Sequence, residues 1–260
     1  MGNQGNDYNM TTKKIRLDNM LVLRGLVPTV EKARALILAR AVRVNDAYPD
    51  KADFPVEDDA QIHLKSEDNP YVSRGGLKLQ GALAEFKLGV AGLTALDVGA
   101  STGGFTDCLL QAGAGKVYAL DVGYGQLAWK LREDKRVVVI ERTNIRYYEG
   151  ADFDQSPDIA TIDVSFISLK NVLPAVIRLL SPKGVILALI KPQFEARREE
   201  VSKHGIVKDI QVRKRILQEI VNFSKSSGLK VLGTCTSSLL GPAGNQEFFI
   251  LAKKTVANGN

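Results

Sequence analysis

Only two cysteines and two histidines occur in 260 residues. Cys108 and Cys235 come with no secretion signal, so a disulfide framework is not expected. His63 and His204 are too few, and too far from the cysteines, to suggest a zinc site, and no metal is expected. No run of about 18 apolar residues exists, which leaves no candidate membrane-spanning helix. The opening stretch, 1–12, lacks the charged-then-apolar pattern of an export signal. It reads as a flexible leader with Met10 as an alternative start, and the expected location is the cytoplasm. What is present is the composition of a globular protein, 45% hydrophobic and 25% charged. A net charge of +6 permits an anionic partner without proving one.

That charge is uneven along the chain. Residues 13–43 hold Lys13, Lys14, Arg16, Arg24, Lys32, Arg34, Arg40 and Arg43 against Asp18 and Glu31, a balance of +6. Residues 44–70 hold Lys51 and Lys65 against eight acids, a balance of −6. A basic block is a candidate phosphate-binding face, and on charge alone a solvated helical face fits as well. The block has a pattern of its own. Leu17, Met20, Leu21, Leu23 and Leu26 recur at helical spacing. Thr29 is placed to cap a second helix over 30–38, with Ala33, Ile37 and Leu38 on its apolar face. Short strands are predicted at 42–44, turning at Asn45-Asp46, and at 62–64. Two short helices followed by a small sheet resemble the RNA-binding fold named after ribosomal protein S4. In that family the helices press a basic face onto structured RNA. The sequence departs from the family at Arg40 and Asp46, where glycine is usual, and both turns are expected to need unusual backbone angles.

After a polar stretch ending in Pro70, apolar runs alternate with helical ones. Strands are predicted at 95–98, 117–121, 137–140, 159–164, 185–190, 231–235 and 248–252. Helices are predicted near 74–86, 105–111, 126–132, 169–180 and 211–224. Such alternation implies a largely parallel sheet covered on both faces, an α/β fold with its ligand beyond the carboxyl ends of the strands. The first strand runs into Gly99-Ala100-Ser101-Thr102-Gly103-Gly104-Phe105. Glycines there allow close approach to the backbone, and the helix that follows begins with free N–H groups. No lysine follows them, so this is not a phosphate loop of the Gly-Lys-Ser type. Asp121 ends the second strand about twenty residues on, where a carboxylate can bind ribose hydroxyls. Turn and acid together point to a nucleoside-bearing cofactor.

Four charged residues stand in apolar surroundings. Lys78 lies in Ser73-Arg74-Gly75-Gly76-Leu77-Lys78-Leu79, Asp163 ends the fourth strand and Lys191 ends the fifth. Glu247 opens the last strand. If that strand runs antiparallel, the charged groups share one edge with the glycine turn. Singly each suits a cap or a surface ion pair, and together they suit a site.

These runs, with Lys191-Pro192-Gln193-Phe194-Glu195 and Gly244-Asn245-Gln246-Glu247-Phe248, resemble the TlyA family, also labelled hemolysin A, over nearly the whole chain. The resemblance implies an S4-type domain at 13–66 and an FtsJ-like, Rossmann-like, seven-stranded S-adenosylmethionine-dependent methyltransferase domain at 67–254, with a flexible tail at 255–260. It implies methyl transfer to a ribose 2′-hydroxyl of ribosomal RNA, on a cytidine, with rRNA or ribosomal subunits as partner and no membrane. By motif, Lys78, Asp163, Lys191 and Glu247 are the catalytic set. Gly99, Ser101, Thr102, Gly103, Gly104, Phe105 and Asp121 take the cofactor. Asn144 is a candidate for the adenine edge, with helix capping equally open to it. Lys191 is expected to place the hydroxyl and assist loss of its proton, with Lys78 as a second cation close by. Three alternatives stay open. One is an RNA-binding assembly factor with little catalysis, and another is a haemolysin, although no pore-forming segment is evident. The third is a dinucleotide oxidoreductase, which the lysine–carboxylate set argues against.

Overall fold

A computed structural model describes residues 14–27, 29–64 and 69–255. Lys13, the leader 1–12, linker residues 66–68 and tail residues 256–260 lie outside the described residues. The chain divides into two compact units, with the division between residues 68 and 69.

In the smaller unit, β1 (Ile15–Arg16) leads into α1 (Leu17–Leu23). Then follow α2 (Val30–Leu38), β2 (Val42–Val44), β3 (Pro55–Val56) and β4 (Ile62–Leu64). β1 pairs antiparallel with β3, and β2 with β4. Leu17, Met20 and Leu21 of α1 and Ala33, Leu36 and Ile37 of α2 are buried, each set at i, i+3, i+4 spacing on one helical face. Leu23 and Leu38 fall off that face and are 70% and 78% exposed, contrary to their expected place in the core. Thr29 caps α2 by accepting from the Lys32 N–H. The left-handed turn residues are Arg40 and Asn45, so the second strained position is Asn45 rather than Asp46. Asparagine tolerates that conformation better than most residues.

The larger unit starts with α3 (Gly75–Glu85) and β5 (Thr94–Val98). It continues with α4 (Gly104–Gln111), β6 (Lys116–Leu120), α5 (Trp129–Arg132), β7 (Val137–Ile140), β8 (Ile159–Ile162) and α6 (Leu173–Leu179). It ends with β9 (Val185–Ile190), α7 (Pro192–Glu195), α8 (Ile210–Ser226), β10 (Leu229–Thr236) and β11 (Phe248–Lys254). One seven-stranded sheet has the order β10-β11-β9-β8-β5-β6-β7. β11 pairs antiparallel with both its neighbours, and the other pairings are parallel. This is the expected Rossmann-like sheet with its last strand reversed. Helices cover both faces. Leu173, Val176, Ile216 and Ile220 of α6 and α8 pack on one, and Leu79, Ala82, Phe105 and Leu109 of α3 and α4 on the other. The helix predicted at 126–132 shortens to α5. The one predicted at 169–180 splits into a 3₁₀ turn, Leu169–Asn171, and α6. Pro174 lies in the first turn of α6, where a missing N–H costs nothing.

The chain winds outward in both directions from β5, and the sheet order therefore reverses between β5 and β8. Beyond the carboxyl ends of those strands the connections diverge and leave a crevice. Asp97 lies behind it. Wholly buried, its carboxylate accepts from Thr106 Oγ1 at 2.7 Å and from Thr161 Oγ1 at 3.1 Å. Burial pushes it up to about 7. The folded protein therefore keeps a proton that the unfolded chain has already lost. That stabilising contribution is full below the ordinary carboxylate range and is lost as pH rises through about 7. Asp97→Asn cannot ionise and can still bond both hydroxyls. Its thermal midpoint relative to the parent is expected to be higher at about pH 8 than at about pH 5. An equal offset at both pH values in thermal denaturation would exclude this account.

Candidate active site

The turn between β5 and α4 forms one side of the crevice. Gly103 caps α4 at φ +96, a left-handed conformation that favours glycine. A Cβ there would run into the Leu131 and Leu127 side chains, and a Cβ on Gly99 would lie 2.6 Å from the Asp163 carbonyl oxygen. These glycines make room for protein neighbours, not simply for a ligand, which corrects the expectation from sequence. Asp121 follows β6. Its Oδ2 accepts from the Ser101 N–H at 2.8 Å and its Oδ1 from the Gly123 N–H at 2.7 Å. The acid thus braces the glycine turn. A carboxylate has about four acceptor positions, so two remain for hydroxyls.

A cavity of about 480 Å³ opens here, lined by Gly99, Ser101, Asp121, Thr143, Asn144 and Phe166 among others. Asn144 has the capping role. Its Oδ1 caps a 3₁₀ turn by accepting from the Arg146 N–H at 3.1 Å, and the residue also lines the cavity. Thr102, Gly104 and Phe105 face the neighbouring, larger cavity. Phe105 is 2% exposed and stacks on Phe249 at 6.2 Å between ring centres, so it is largely a core residue.

The larger cavity, about 780 Å³, is lined by Lys78, Asp163, Lys191 and Glu247. Sheet register is what brings them together. Phe248 lies opposite Ile190 in the antiparallel β11–β9 pair, so the residue before β11 and the residue after β9 reach the same edge. Asp163 follows β8 in the strand beside β9. Lys78 arrives from α3. The four form two ion pairs, Lys78 Nζ to Glu247 Oε2 at 2.6 Å and Lys191 Nζ to Asp163 Oδ1 at 2.7 Å. Lys191 also donates to Ser165 Oγ at 2.9 Å. Each lysine has its own carboxylate. Among the described residues, Glu247 Oε1 and Asp163 Oδ1 are buried and lack a hydrogen-bond partner.

Several lining residues escaped the sequence reading. Ser165 was findable, since it stands two residues after Asp163, the spacing that returns a side chain to the same face of an extended segment. Phe166 had no such signal. It is 91% exposed, held at φ +63, and tilted against Phe194 with ring centres 5.0 Å apart. Gln193 lines the larger cavity, its Oε1 buried and without a hydrogen-bond partner among the described residues. Glu195 accepts from Ser168 Oγ at 2.5 Å and the Leu169 N–H at 2.7 Å, tying the segment after β8 to the one after β9. Burial raises its carboxyl above the usual range.

The basic block of the smaller unit is partly structural. Asp18, its side chain fully buried, is held by Arg16 at 2.9 Å and Arg34 at 3.0 Å. The Arg16 guanidinium, first among these bonds, takes the Asp18 carboxyl down to about 2. Arg24 donates to the Ala60 and Asp58 carbonyls, both at 2.6 Å. Lys14 and Arg40 make exposed, loose pairs with Glu57 and Asp50, each at 3.7 Å. Arg43 is exposed on β2, with no pair or side-chain bond among the described residues. Lys32 is exposed on α2.

Among the described residues no helix is long and apolar enough to cross a membrane. Residues 71–254 match the FtsJ-like methyltransferase family, and residues 15–62 match the S4 domain. The chain is 51% identical over 242 residues to YqxC of Bacillus subtilis (strain 168), a candidate rRNA methyltransferase, across 93% of this chain and 86% of that one. It is 43% identical over 239 residues to the 16S/23S rRNA (cytidine-2'-O)-methyltransferase TlyA of Mycobacterium tuberculosis (strain ATCC 25618 / H37Rv), across 92% and 89%. The solved structure of a candidate hemolysin from Streptococcus thermophilus superposes with a TM-score of 0.73 at 44% identity, covering 94% of this chain and 90% of that one. On these matches the chain belongs to the FtsJ-like methyltransferase family and joins that domain to an S4 domain.

Proposed function

We propose that this protein transfers a methyl group from S-adenosylmethionine to a ribose 2′-hydroxyl of ribosomal RNA, on a cytidine, in the cytoplasm where ribosomes are found. The observation that carries this reading is the pair of lysine–carboxylate bridges in one cavity, sharing Gly99, Ser101 and Asp163 with a second cavity at the glycine turn. Two adjoining cavities suit a cofactor and an acceptor that must meet. Relatives named as rRNA (cytidine-2'-O)-methyltransferases support the substrate.

The smaller cavity fits the nucleoside part of the cofactor. Asp121 has acceptor positions left for ribose hydroxyls, and Asn144 lies on the same wall. S-adenosylmethionine supplies a sulfonium methyl, which the ribose oxygen takes as its proton is lost and the thioether is released. The protein's task is to place that oxygen and receive the proton. Lys191 Nζ donates to Ser165 Oγ and is ion-paired with Asp163 Oδ1, which fixes its direction and leaves donor capacity for the ribose oxygen. An ammonium cannot itself accept a proton, so Lys191 passes one to the Asp163 carboxylate and takes the hydroxyl's proton in its place as the methyl is transferred. Lys78 and Glu247 line the same cavity.

Three outcomes follow. Asp121→Ala removes the ribose acceptor, a charge-assisted bond, and S-adenosylmethionine should bind roughly 10- to 100-fold more weakly by calorimetry. Unchanged affinity would place the cofactor elsewhere. Lys191→Ala should keep cofactor and RNA binding yet slow single-turnover methyl transfer to rRNA by roughly 10²- to 10⁴-fold. Lys191→Arg should not restore it, because a planar guanidinium cannot repeat the point donation of an ammonium and stays charged. Transfer at near-parent rate in the alanine variant defeats the assignment. For RNA, Arg43 is the clean probe, because Arg16, Arg24 and Arg34 also hold the fold together. Arg43→Glu should lower the log–log salt slope of rRNA binding by about one while cofactor affinity persists. A slope equal to the parent's would mean that Arg43 meets no phosphate.

A further inference from the structure

One basic surface of the larger unit has no part in the account above. Residues 197–208 lie between α7 and α8 and carry Arg197, Arg198, Lys203, His204 and Lys208, all exposed. Val201 and Gly205 of this strip line the larger cavity, as do Lys191 and Glu247. The strip is built, not loose. The Ser202 N–H donates to the Ile206 carbonyl at 3.0 Å, and the Ile206 N–H donates to Ser202 Oγ at 3.1 Å. Gly205 closes the turn at φ +73.

A buried side chain from across the cavity latches its base. Asn245 is 2% exposed. Its Nδ2 donates to the Gly205 carbonyl at 2.8 Å, and its Oδ1 accepts from the Val207 N–H at 3.0 Å. Asn245 stands two residues before Glu247, so the segment that delivers Glu247 to the site also fixes the strip. The strip also carries two acids, the exposed Glu199 and the partly buried Glu200, and Asp209 follows it. Glu200 is gripped by Arg215 at 2.6 Å, and Asp209 caps α8 by accepting from the Gln211 N–H at 2.7 Å. Among the described residues, Lys203, at the tip of the turn, and Lys208, just past its base, have no ion pair or side-chain hydrogen bond. Two exposed ammonium groups thus stand on a fixed strip whose Val201 and Gly205 line the larger cavity. A polyanion seated there releases counterions on meeting them, and the latch reduces the ordering cost of the contact.

We propose that residues 202–208 form a second RNA contact, carried by the methyltransferase unit itself, in which Lys203 and Lys208 take the phosphates flanking the nucleotide in the larger cavity and Asn245 holds them in place. The proposal rests on the rRNA reading. Lysine suits the task as a compact point charge that needs no fixed phosphate orientation.

The test uses the full chain and ribosomal RNA, with binding measured across a salt series. Lys203→Glu and Lys208→Glu should each lower the log–log slope by about one, and together by about two. Calorimetric affinity for S-adenosylmethionine should stay at the parent value in all three. Asn245→Ala should weaken RNA binding and raise the RNA KM more than it lowers kcat, again with cofactor affinity retained. If Asn245→Ala fails to fold, the lysine variants, altered only at exposed positions, still decide the matter. Slopes equal to the parent's in both lysine variants overturn the contact, as does a fall in cofactor affinity that parallels the RNA effect. A parent chain that neither binds rRNA nor methylates it overturns the functional reading beneath the proposal, a result distinguishable from unchanged slopes in an active enzyme.

Discussion

Lys78 and Glu247 meet at 2.6 Å with almost no water on either side chain. Two charges withdrawn from solvent this far are costly apart, and removing one partner of such a pair typically costs about 3–5 kcal/mol. The pair therefore fixes α3 to the head of β11, the strand that runs against its neighbours. Much of the site follows from that reversal. If β11 ran parallel, its start would lie at the opposite end of the sheet from Lys191, and Glu247 and Asn245 with it. The bridge thus ties helix, reversed strand and cavity wall into one arrangement, and Glu247 keeps one buried oxygen without a hydrogen-bond partner among the described residues.

The smaller unit handles charge in a related way. Asp18 is buried and satisfied by Arg16, Arg34 and the Asn19 N–H at 3.0 Å. Two arginines that read as an RNA face also stabilise a buried acid. Both remain about half exposed and keep N–H groups for a phosphate, since a guanidinium has five donors. Fold and recognition here draw on the same side chains, and a basic block in a sequence is consequently a poor guide to which cations are free. Arg43, which points away from the core of β2, illustrates the opposite case.

Periodicity alone located the seven strands of the sheet and the long helices that cover it. A β-strand buried on both faces has to be a near-continuous apolar run, and 95–98, 159–162 and 185–190 are such runs. The polar residues ending those runs were legible for the same reason, because Asp163 and Lys191 interrupt apolar stretches and call for an explanation. The glycine turn and Asp121 were legible as chemistry, although the space Gly99 and Gly103 leave is filled by Asp163, Leu127 and Leu131. The short α7, the split before α6 and the left-handed Asn45 lie below the resolution of such patterns, since each depends on one or two residues of local geometry.

Local order in the chain thus settled the class of fold and which side chains were candidates for chemistry, because both depend on residue type and spacing. Partnership lay beyond it. Lys78 pairs with a carboxylate 169 positions away, and Asn245 latches carbonyl and amide groups 40 and 38 positions away. Distances of that kind are set by strand order, by the reversal of β11 and by the packing of α3 on the sheet. Three-dimensional packing assigned Lys78 and Lys191 each its own carboxylate, withdrew Arg24 to backbone carbonyls, and left Lys203 and Lys208 without a partner among the described residues, because a charge finds its partner by proximity in space and proximity in sequence does not supply it.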